Sequence, residues 1–292
     1  MDIAIIAQLS LSGALMGLVY TLIAYGFQLT YATSKSINFG QGELVMLSAF
    51  FSLTLIDRGL PFFLVVLGGL LFGTLLGLIV ERTSVRLALE QKNEGWILLT
   101  VIFGLFSFSV AENIYGRDDR PFPTPISSDA ISFLNISITP LEISVAIGVL
   151  AIMGIIELFK RRTLLGKAFA AVSADRDAAE LMGISAKRII MLSYGLSGMV
   201  AAMAGILVAP ITTVGPTMAA ALILKAFAVA VVAGLNSGMG IVLIGLFLGA
   251  LEGLASYYIG SGWREAPGLI LLILALALRP HGVFGNPIAR KV

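Results

Sequence analysis

The sequence predicts an all-α integral membrane protein. Its 292 residues are 58% hydrophobic and 12% charged, and the mean hydropathy is +0.98. The apolar residues come in runs of about 20, the length that a helix needs to cross a bilayer. Runs of that length exclude a transmembrane β-barrel, whose strands are shorter and alternate in polarity. We expect one transmembrane domain over residues 1–292.

Turns that contain glycine, proline or charged residues separate the apolar runs and set the number of crossings. The predicted spans cover about 3–31, 62–80, 96–113, 141–159, 189–209, 219–235, 240–257 and 263–278. A further stretch at 33–56 counts as a ninth crossing or as a re-entrant segment. The sequence therefore predicts eight to nine transmembrane helices.

A polar stretch at residues 33–43 interrupts the apolar pattern after the first span. Lys35, Asn38, Gln41 and Glu43 lie among serines and glycines and lead directly into an apolar run that reaches Ile56. Polar groups at membrane depth are tolerated only where protein or a water-filled cavity meets them. The pattern predicts a discontinuous or re-entrant helix here.

Two sets of glycines recur at four-residue spacing, at positions 69, 73 and 77 and at positions 245, 249 and 253. Such spacing lets the backbones of two helices approach closely. The two sets fall in helices of opposite predicted direction, which fits an inverted structural repeat. The general glycine richness of membrane helices explains them equally well.

Positive charge is concentrated in residues 160–188, between two spans. This segment holds seven of the 19 Lys and Arg residues: Lys160, Arg161, Arg162, Lys167, Arg176, Lys187 and Arg188. The positive-inside rule places it in the cytoplasm. Counting crossings then predicts an external N-terminus and a cytoplasmic C-terminus, where Arg279, Arg290 and Lys291 lie.

Within this basic loop, the sequence predicts a short helix over residues 176–182. Asp175 can cap its first turn, and Gly183 suits its C-terminal stop. Ala178, Ala179 and Met182 are predicted on one face, with Leu181 beside them and with Asp177 on the more polar side. Apolar residues in a charged loop are expected to be buried against another molecule. This helix either docks in a groove of a cytoplasmic partner or lies on lipid.

Polar residues within or next to the spans are candidates for a translocation path: Asn38, Gln41, Glu43, Lys225 and Glu252. A charged group in a membrane is costly unless it is paired or hydrated. A structural pair, for instance Glu43 with Lys225, is the alternative to a path, and one residue can have both roles.

Several kinds of chemistry are excluded or disfavoured. The chain has no cysteine and one histidine, His281, which removes thiolate chemistry and histidine metal clusters. Gly166-Lys167 is followed by Ala168 and lacks the upstream glycine of a nucleotide-binding loop. An intramembrane hydrolase using Ser197 would have no histidine within its span to activate it. An ion-coupled secondary transporter or channel, with Glu43, Lys225 and Glu252 as a relay, stays open.

Four stretches resemble known permeases. DAAELMG at 177–183 resembles the EAA---G element of ABC importer permeases, with Asp177 in place of the first glutamate and without the LeuPro that ends the fuller element. INFGQGE at 37–43 resembles the LNFAHGE signature of the branched-chain amino acid permeases of the LivH type, with Gln41 where histidine is usual. KAFAVAVVAGLNS at 225–237 and RPHGVFG at 279–285 resemble two further motifs of that family.

The resemblance implies a permease subunit of an ATP-driven importer in a bacterial cytoplasmic membrane. In that family the EAA loop couples the permease to its ATPase, which implies such a role for 175–183. The implied partners are two ATPase subunits, a second permease (a LivM-like paralogue or another copy) and an external binding protein. The chain itself would hold no cofactor, since the partner subunits would use ATP and Mg²⁺. The implied substrates are branched-chain amino acids or related amino acids, carboxylates or amides.

Overall fold

The computed structural model describes residues 3–91, 93–127, 129–133, 136–279 and 281–285. Arg290 and Lys291, which contribute to the predicted orientation, lie outside the described residues. Within these ranges the helices are α1 (Ile3–Ser34), α2 (Gln41–Asp57), α3 (Phe62–Val80), α4 (Arg86–Glu90), α5 (Trp96–Tyr115), α6 (Pro140–Arg162), α7 (Leu164–Ala174), α8 (Arg176–Leu181), α9 (Ala186–Thr212), α10 (Met218–Ala233), α11 (Gly238–Tyr258) and α12 (Ala266–Leu278). A π-helical turn, Glu81–Val85, joins α3 to α4, and a 3₁₀ turn, Ser261–Trp263, precedes α12.

Seven helical segments in the described part of the chain are long and apolar enough to cross a membrane. They are Ile5–Ser34, Phe62–Glu90, Trp96–Tyr115, Pro140–Arg162, Ala186–Thr212, Gly238–Tyr258 and Ser261–Leu278. The apolar helix α10 and the discontinuous segment that ends in α2 bring the total to the predicted eight to nine. The all-α membrane class is thus confirmed.

The predicted interruption after the first span is present. Helix α1 ends at Ser34, Lys35 has φ +56°, and the chain runs without regular structure until α2 begins at Gln41. Gln41 reaches back to Ser197 in the middle of α9, and Ser197 in turn bonds to Gly26 of α1. The stretch 36–40 is therefore buried or partly buried within the bundle before α2 starts.

The helical segment that begins with α3 extends beyond its apolar part. Helix α3 continues through the π turn into α4. Glu81 is buried and forms two bonds with Arg86, at 3.0 and 2.7 Å. Because Arg86 neutralises the buried Glu81 carboxylate, the helix can continue past its apolar part.

Both glycine sets lie at close contacts between helices. On one side, an added Cβ at Gly249 would strike the backbone of Gly13. On the other, an added Cβ at Gly73 would strike the backbone of Gly198. The pairs α1 with α11 and α9 with α3 share the most extensive interfaces of the molecule.

These two interfaces are related in the way that an inverted repeat predicts. The order α1, α2, α3 recurs as α9, α10, α11, and the first helix of each set packs against the third helix of the other. Helices α1 and α9 run antiparallel, because Gly26 meets Ser197 while Thr33, further along α1, bonds to the earlier Ser193 at 2.7 Å. The two sets therefore have opposite directions.

The loop between α5 and α6 carries the described strands, β1 (Ile131–Phe133) and β2 (Ile136–Ile138), which pair antiparallel. A capping box then starts α6: the Thr139 hydroxyl accepts from the Glu142 backbone, and the Glu142 carboxylate accepts from the Thr139 backbone.

The buried core lies mainly along α1, α2, α9 and α10, while exposed apolar side chains line α3, α5, α6, α11 and α12.

Candidate functional site

Helix α8 is a short element fixed at both ends. The Asp175 carboxylate accepts hydrogen bonds from the backbone of Asp177 and Ala178, each at 3.1 Å. At the other end, Gly183 has φ +82° and donates to Glu180, and Ile184 donates to Ala179. This is a Schellman stop, which needs a glycine in the left-handed region. The predicted cap and stop are therefore both present.

The exposed face of α8 differs from the predicted one by one residue. Ala179 is only 4% exposed and packs into the core of its own chain, so its side chain does not belong to an outward face. Leu181 and Met182 are 88% and 82% exposed, and Ala178 is exposed beside them. The difference arises because Ala179 is the position at which α8 rests on the neighbouring helices.

The elements around α8 hold it in place. Helix α7 packs against α1, α6 and α9 and buries Phe169 and Val172. Lys187, in the first turn of α9, forms an ion pair with Glu90 at the end of α4 at 2.8 Å. These contacts fix the elements on both sides of α8, so Leu181 and Met182 are exposed on a helix with a defined position.

Asn38 and Gln41 come together with Ser197 at the start of α2. The amide of Asn38 donates to Gln41 Oε1 at 3.2 Å, and the amide of Gln41 donates to the Ser197 carbonyl at 3.2 Å. The Ser197 hydroxyl lies 3.0 Å from the Gly26 carbonyl. All three side chains are buried, so this network satisfies the polar groups where α2 begins and connects that helix to α1 and α9.

The position of Ser197 also bears on the hydrolase alternative. Its hydroxyl is buried and engaged with Gly26 and Gln41, the latter at 3.1 Å. A nucleophile needs a neighbouring base and access for a substrate. Among the residues that the structure describes, neither is present around this side chain.

Lys225 and Glu252 form a buried ion pair. The Lys225 ammonium lies 3.0 Å from Glu252 Oε2, and the Tyr20 hydroxyl donates to the same oxygen at 3.0 Å. The ammonium also lies 5.4 Å from the centre of the Tyr20 ring. The suggested pair of Lys225 with Glu43 is wrong, because α11 rather than α2 presents the carboxylate to Lys225.

One member of this cluster, Tyr20, was missed in the sequence, because it lies in an apolar run and offers no signal of a polar role. Glu252 Oε1 has no hydrogen-bond partner within the described residues. Lys225 also lines a small cavity of about 30 Å³ together with Glu265 and Gly268.

Glu43 lies apart from both clusters, in the first turn of α2. Its carboxylate faces α5, where an added Cβ at Gly104 would lie 3.2 Å from Oε2. That oxygen is buried without a hydrogen-bond partner in the part of the chain that the structure describes. Two of the five predicted path residues, Glu43 and Glu252, carry a carboxylate. Among the described residues, an ion pair holds that of Glu252, whereas neither an ion pair nor a side-chain hydrogen bond holds that of Glu43.

Among the described residues, no group of three or more His, Asp or Glu side chains is arranged to hold a metal ion. The site chemistry available to this chain is that of paired charges, amides and an exposed apolar helix. Together with the fold, it defines a multi-pass helical membrane protein with a structured loop helix.

Comparison with known proteins identifies the family. Residues 9–278 match the family model described as the branched-chain amino acid transport system permease component. The chain belongs to this family. The LivH permease of the high-affinity branched-chain amino acid system of Salmonella typhimurium is 27% identical over 98% of this chain and 97% of its own. The corresponding BraD permease of Pseudomonas aeruginosa is 28% identical over the same shares.

Two further similarities are more distant. The ribose import permease RbsC of Haemophilus influenzae is 26% identical over 89% of this chain and 81% of its own. A solved structure, PsaBC from Streptococcus pneumoniae in complex with Fab, has a TM-score of 0.50 and 14% identity, and covers 94% of this chain and 92% of that one. This last likeness concerns the fold alone.

Proposed function

We propose that this chain is the transmembrane permease subunit of an ATP-driven importer and that α8 is its docking helix for the ATPase. The observation that carries the proposal is the pair Leu181 and Met182, which a capped six-residue helix presents almost fully exposed. Family membership and the absence of a nucleotide-binding loop from the sequence support it, since energy from ATP has to arrive through a partner.

The assembly that follows has two ATPase subunits, a second permease and an external binding protein that delivers the substrate. ATP and Mg²⁺ would be used by the ATPase subunits and not by this chain. The membrane would be a bacterial cytoplasmic membrane, with the basic loop 160–188 and the C-terminus in the cytoplasm and the N-terminus outside. The substrates we propose are branched-chain amino acids or related small amino acids, carboxylates or amides, in line with the names of the relatives.

Within the subunit, we assign the polar residues two roles. The bonds of Asn38 and Gln41, and the pair of Lys225 with Glu252, support a role in holding the helices around the path. Glu43 is the residue we place closest to the transported molecule, because one of its carboxylate oxygens has no hydrogen-bond partner among the described residues.

The docking role is tested by introducing charge on the apolar face of α8. Leu181→Glu and Met182→Glu should leave expression and thermal stability unchanged, because both side chains are exposed. Transport and stimulated ATP hydrolysis in proteoliposomes should fall at least about tenfold, because burying an unpaired carboxylate in an interface is costly. Arg176→Ala is the matched control on the polar face, since it removes only an exposed ion pair with Glu180.

Two results would contradict the proposal. One is full coupling by both glutamate variants. The other is uptake by the chain alone, without an ATPase, in liposomes with an ion gradient. The second result would establish the ion-coupled transporter instead, for which Glu43, Lys225 and Glu252 are the candidate relay.

A further inference from the structure

A groove runs along the outside of the bundle where α6 and α11 both pack on α1. Its volume is about 500 Å³, and it is lined by Tyr25 and Gln28 on α1, Gly154, Glu157 and Arg161 on α6, and Met239 on α11. We call it the α6–α11 groove. It begins beside the basic loop and continues along the apolar surface of the bundle.

The α6 side of the groove changes from apolar to charged along one stripe. Leu150, Gly154, Glu157 and Arg161 recur at the spacing of one helix face. Gly154 leaves a notch in this stripe, because a Cβ added there would meet no atom within 4 Å. The stripe is thus apolar at Leu150 and Gly154 and charged at Glu157 and Arg161. A phospholipid has the same division, with apolar acyl chains and a charged headgroup.

The charged end carries a net positive charge. Glu157 lies 3.1 Å from the Lys160 ammonium and 2.8 Å from Nε of Arg161, so one carboxylate faces two cations. The Lys160 ammonium is held 6.0 Å from the centre of the Tyr25 ring and 5.6 Å from that of Phe169. Arg161 is exposed, and its ion pair uses Nε, which leaves its terminal amino groups available to an anion.

The floor of the groove supplies two polar groups that lack partners. Tyr25 is 3% exposed and Gln28 is 8% exposed. Neither the Tyr25 hydroxyl nor Gln28 Oε1 has a hydrogen-bond partner within the described ranges. Buried polar groups are normally satisfied, so an unpartnered hydroxyl in a basic groove indicates a ligand with acceptor oxygens.

We propose that the α6–α11 groove binds an anionic phospholipid from the leaflet that borders the basic loop. Arg161, Lys160 and the Tyr25 hydroxyl would bind the phosphate, and Gln28 would bind the polar headgroup. One acyl chain would lie in the notch at Gly154, between Leu150 and Met239. Basic pockets between transmembrane helices at this depth suit such headgroups.

The test measures retained lipid by native mass spectrometry of the full-length protein in detergent. The probes are phosphatidylglycerol, phosphatidylcholine and glycerol phosphate. We expect phosphatidylglycerol to be retained in preference to phosphatidylcholine, and we expect glycerol phosphate not to displace it. Arg161→Ala should weaken retention about fivefold, the effect of one basic residue near an anionic lipid.

Two further variants separate binding from folding. Tyr25→Phe removes a hydroxyl that has no partner in the described chain, so thermal stability should hold while retention falls about fivefold. Gly154→Leu fills the open notch without touching other atoms at its Cβ and should abolish retention.

Four outcomes would overturn the proposal. Equal retention of both phospholipids would show that charge is not recognised, and wild-type retention by all three variants would place the lipid elsewhere. Displacement by glycerol phosphate would make the groove a site for a soluble phosphate. Failure of Gly154→Leu to assemble with a second permease, with lipid retention unchanged, would assign the groove to a protein interface.

Discussion

Lys225 and Glu252 show what a charged residue requires inside a helical bundle. Each lies in an apolar helix, and each finds the other at 3.0 Å, with Tyr20 bonded to the carboxylate. The pair connects α10 to α11, and Tyr20 adds α1 to the same cluster. A buried pair of this kind contributes little net stability, because both charges lose their hydration.

Removing one partner should therefore cost more than removing both. Lys225→Met leaves Glu252 buried without its cation and should lower the free energy of unfolding by about 3 kcal/mol. The double variant Lys225→Met, Glu252→Met replaces the pair with apolar side chains of similar volume and should recover most of that loss. Denaturant unfolding of the purified protein in detergent measures both. Equal losses in the two variants would contradict this expectation, because they would show that the unpaired Glu252 carboxylate adds no cost of its own.

The sequence indicated that these charges need partners but did not indicate which ones. A partner depends on the depth and rotation of each helix, and neither is set by the apolar pattern alone. For the same reason Tyr20, Tyr25 and Gln28 carried no signal, since each is a single polar group in a long apolar run. Asp175 and Gly183 were predictable, because a cap and a stop act within a few residues of the same helix.

At the scale of elements, close backbone contact determines how the longest helices pair. Gly198 on α9 faces the backbone of Gly73 on α3, and Gly13 on α1 faces that of Gly249 on α11. Small residues at such crossings allow extensive contact between helices in a membrane, where no hydrophobic force drives them together. The four-residue spacing predicted the close packing, but the partner helices became known only from the structure.

A methyl group at one of these crossings should separate the helices. Gly198→Ala places a Cβ against the Gly73 backbone, which cannot move aside, and should destabilise the protein by about 1–3 kcal/mol. Gly195→Ala in the same helix is the matched control, because its Cβ would lie 3.3 Å from the flexible end of Leu78. The midpoint of thermal unfolding in detergent compares the two variants. Equal changes in the two midpoints would contradict this expectation, because the gain in helix propensity from Gly to Ala is the same at both positions and only Gly198 faces an immovable backbone.

At the scale of the whole molecule, two antiparallel sets of helices are joined by a segment that contains α6, α7 and α8. The first set includes α1, α2 and α3, and the second includes α9, α10 and α11. The joining segment is where the basic charge and the exposed α8 lie, so a force applied there acts between the two sets. This position suits a helix through which a partner drives a conformational change.

Labelling of a single cysteine shows whether an ATPase covers α8. The chain has no native cysteine, so Met182→Cys introduces one reactive thiol at an exposed site. Arg117→Cys, in the loop between α5 and α6, provides a control for sidedness. The reagent is a membrane-impermeant maleimide, applied to inside-out vesicles and to intact cells.

The account predicts that Met182→Cys is labelled in inside-out vesicles stripped of the ATPase and is protected when the ATPase is bound. Arg117→Cys should be labelled only from outside the cell, with or without the ATPase. Equal labelling of Met182→Cys in the presence and absence of the ATPase, or labelling of it from outside, would contradict the account.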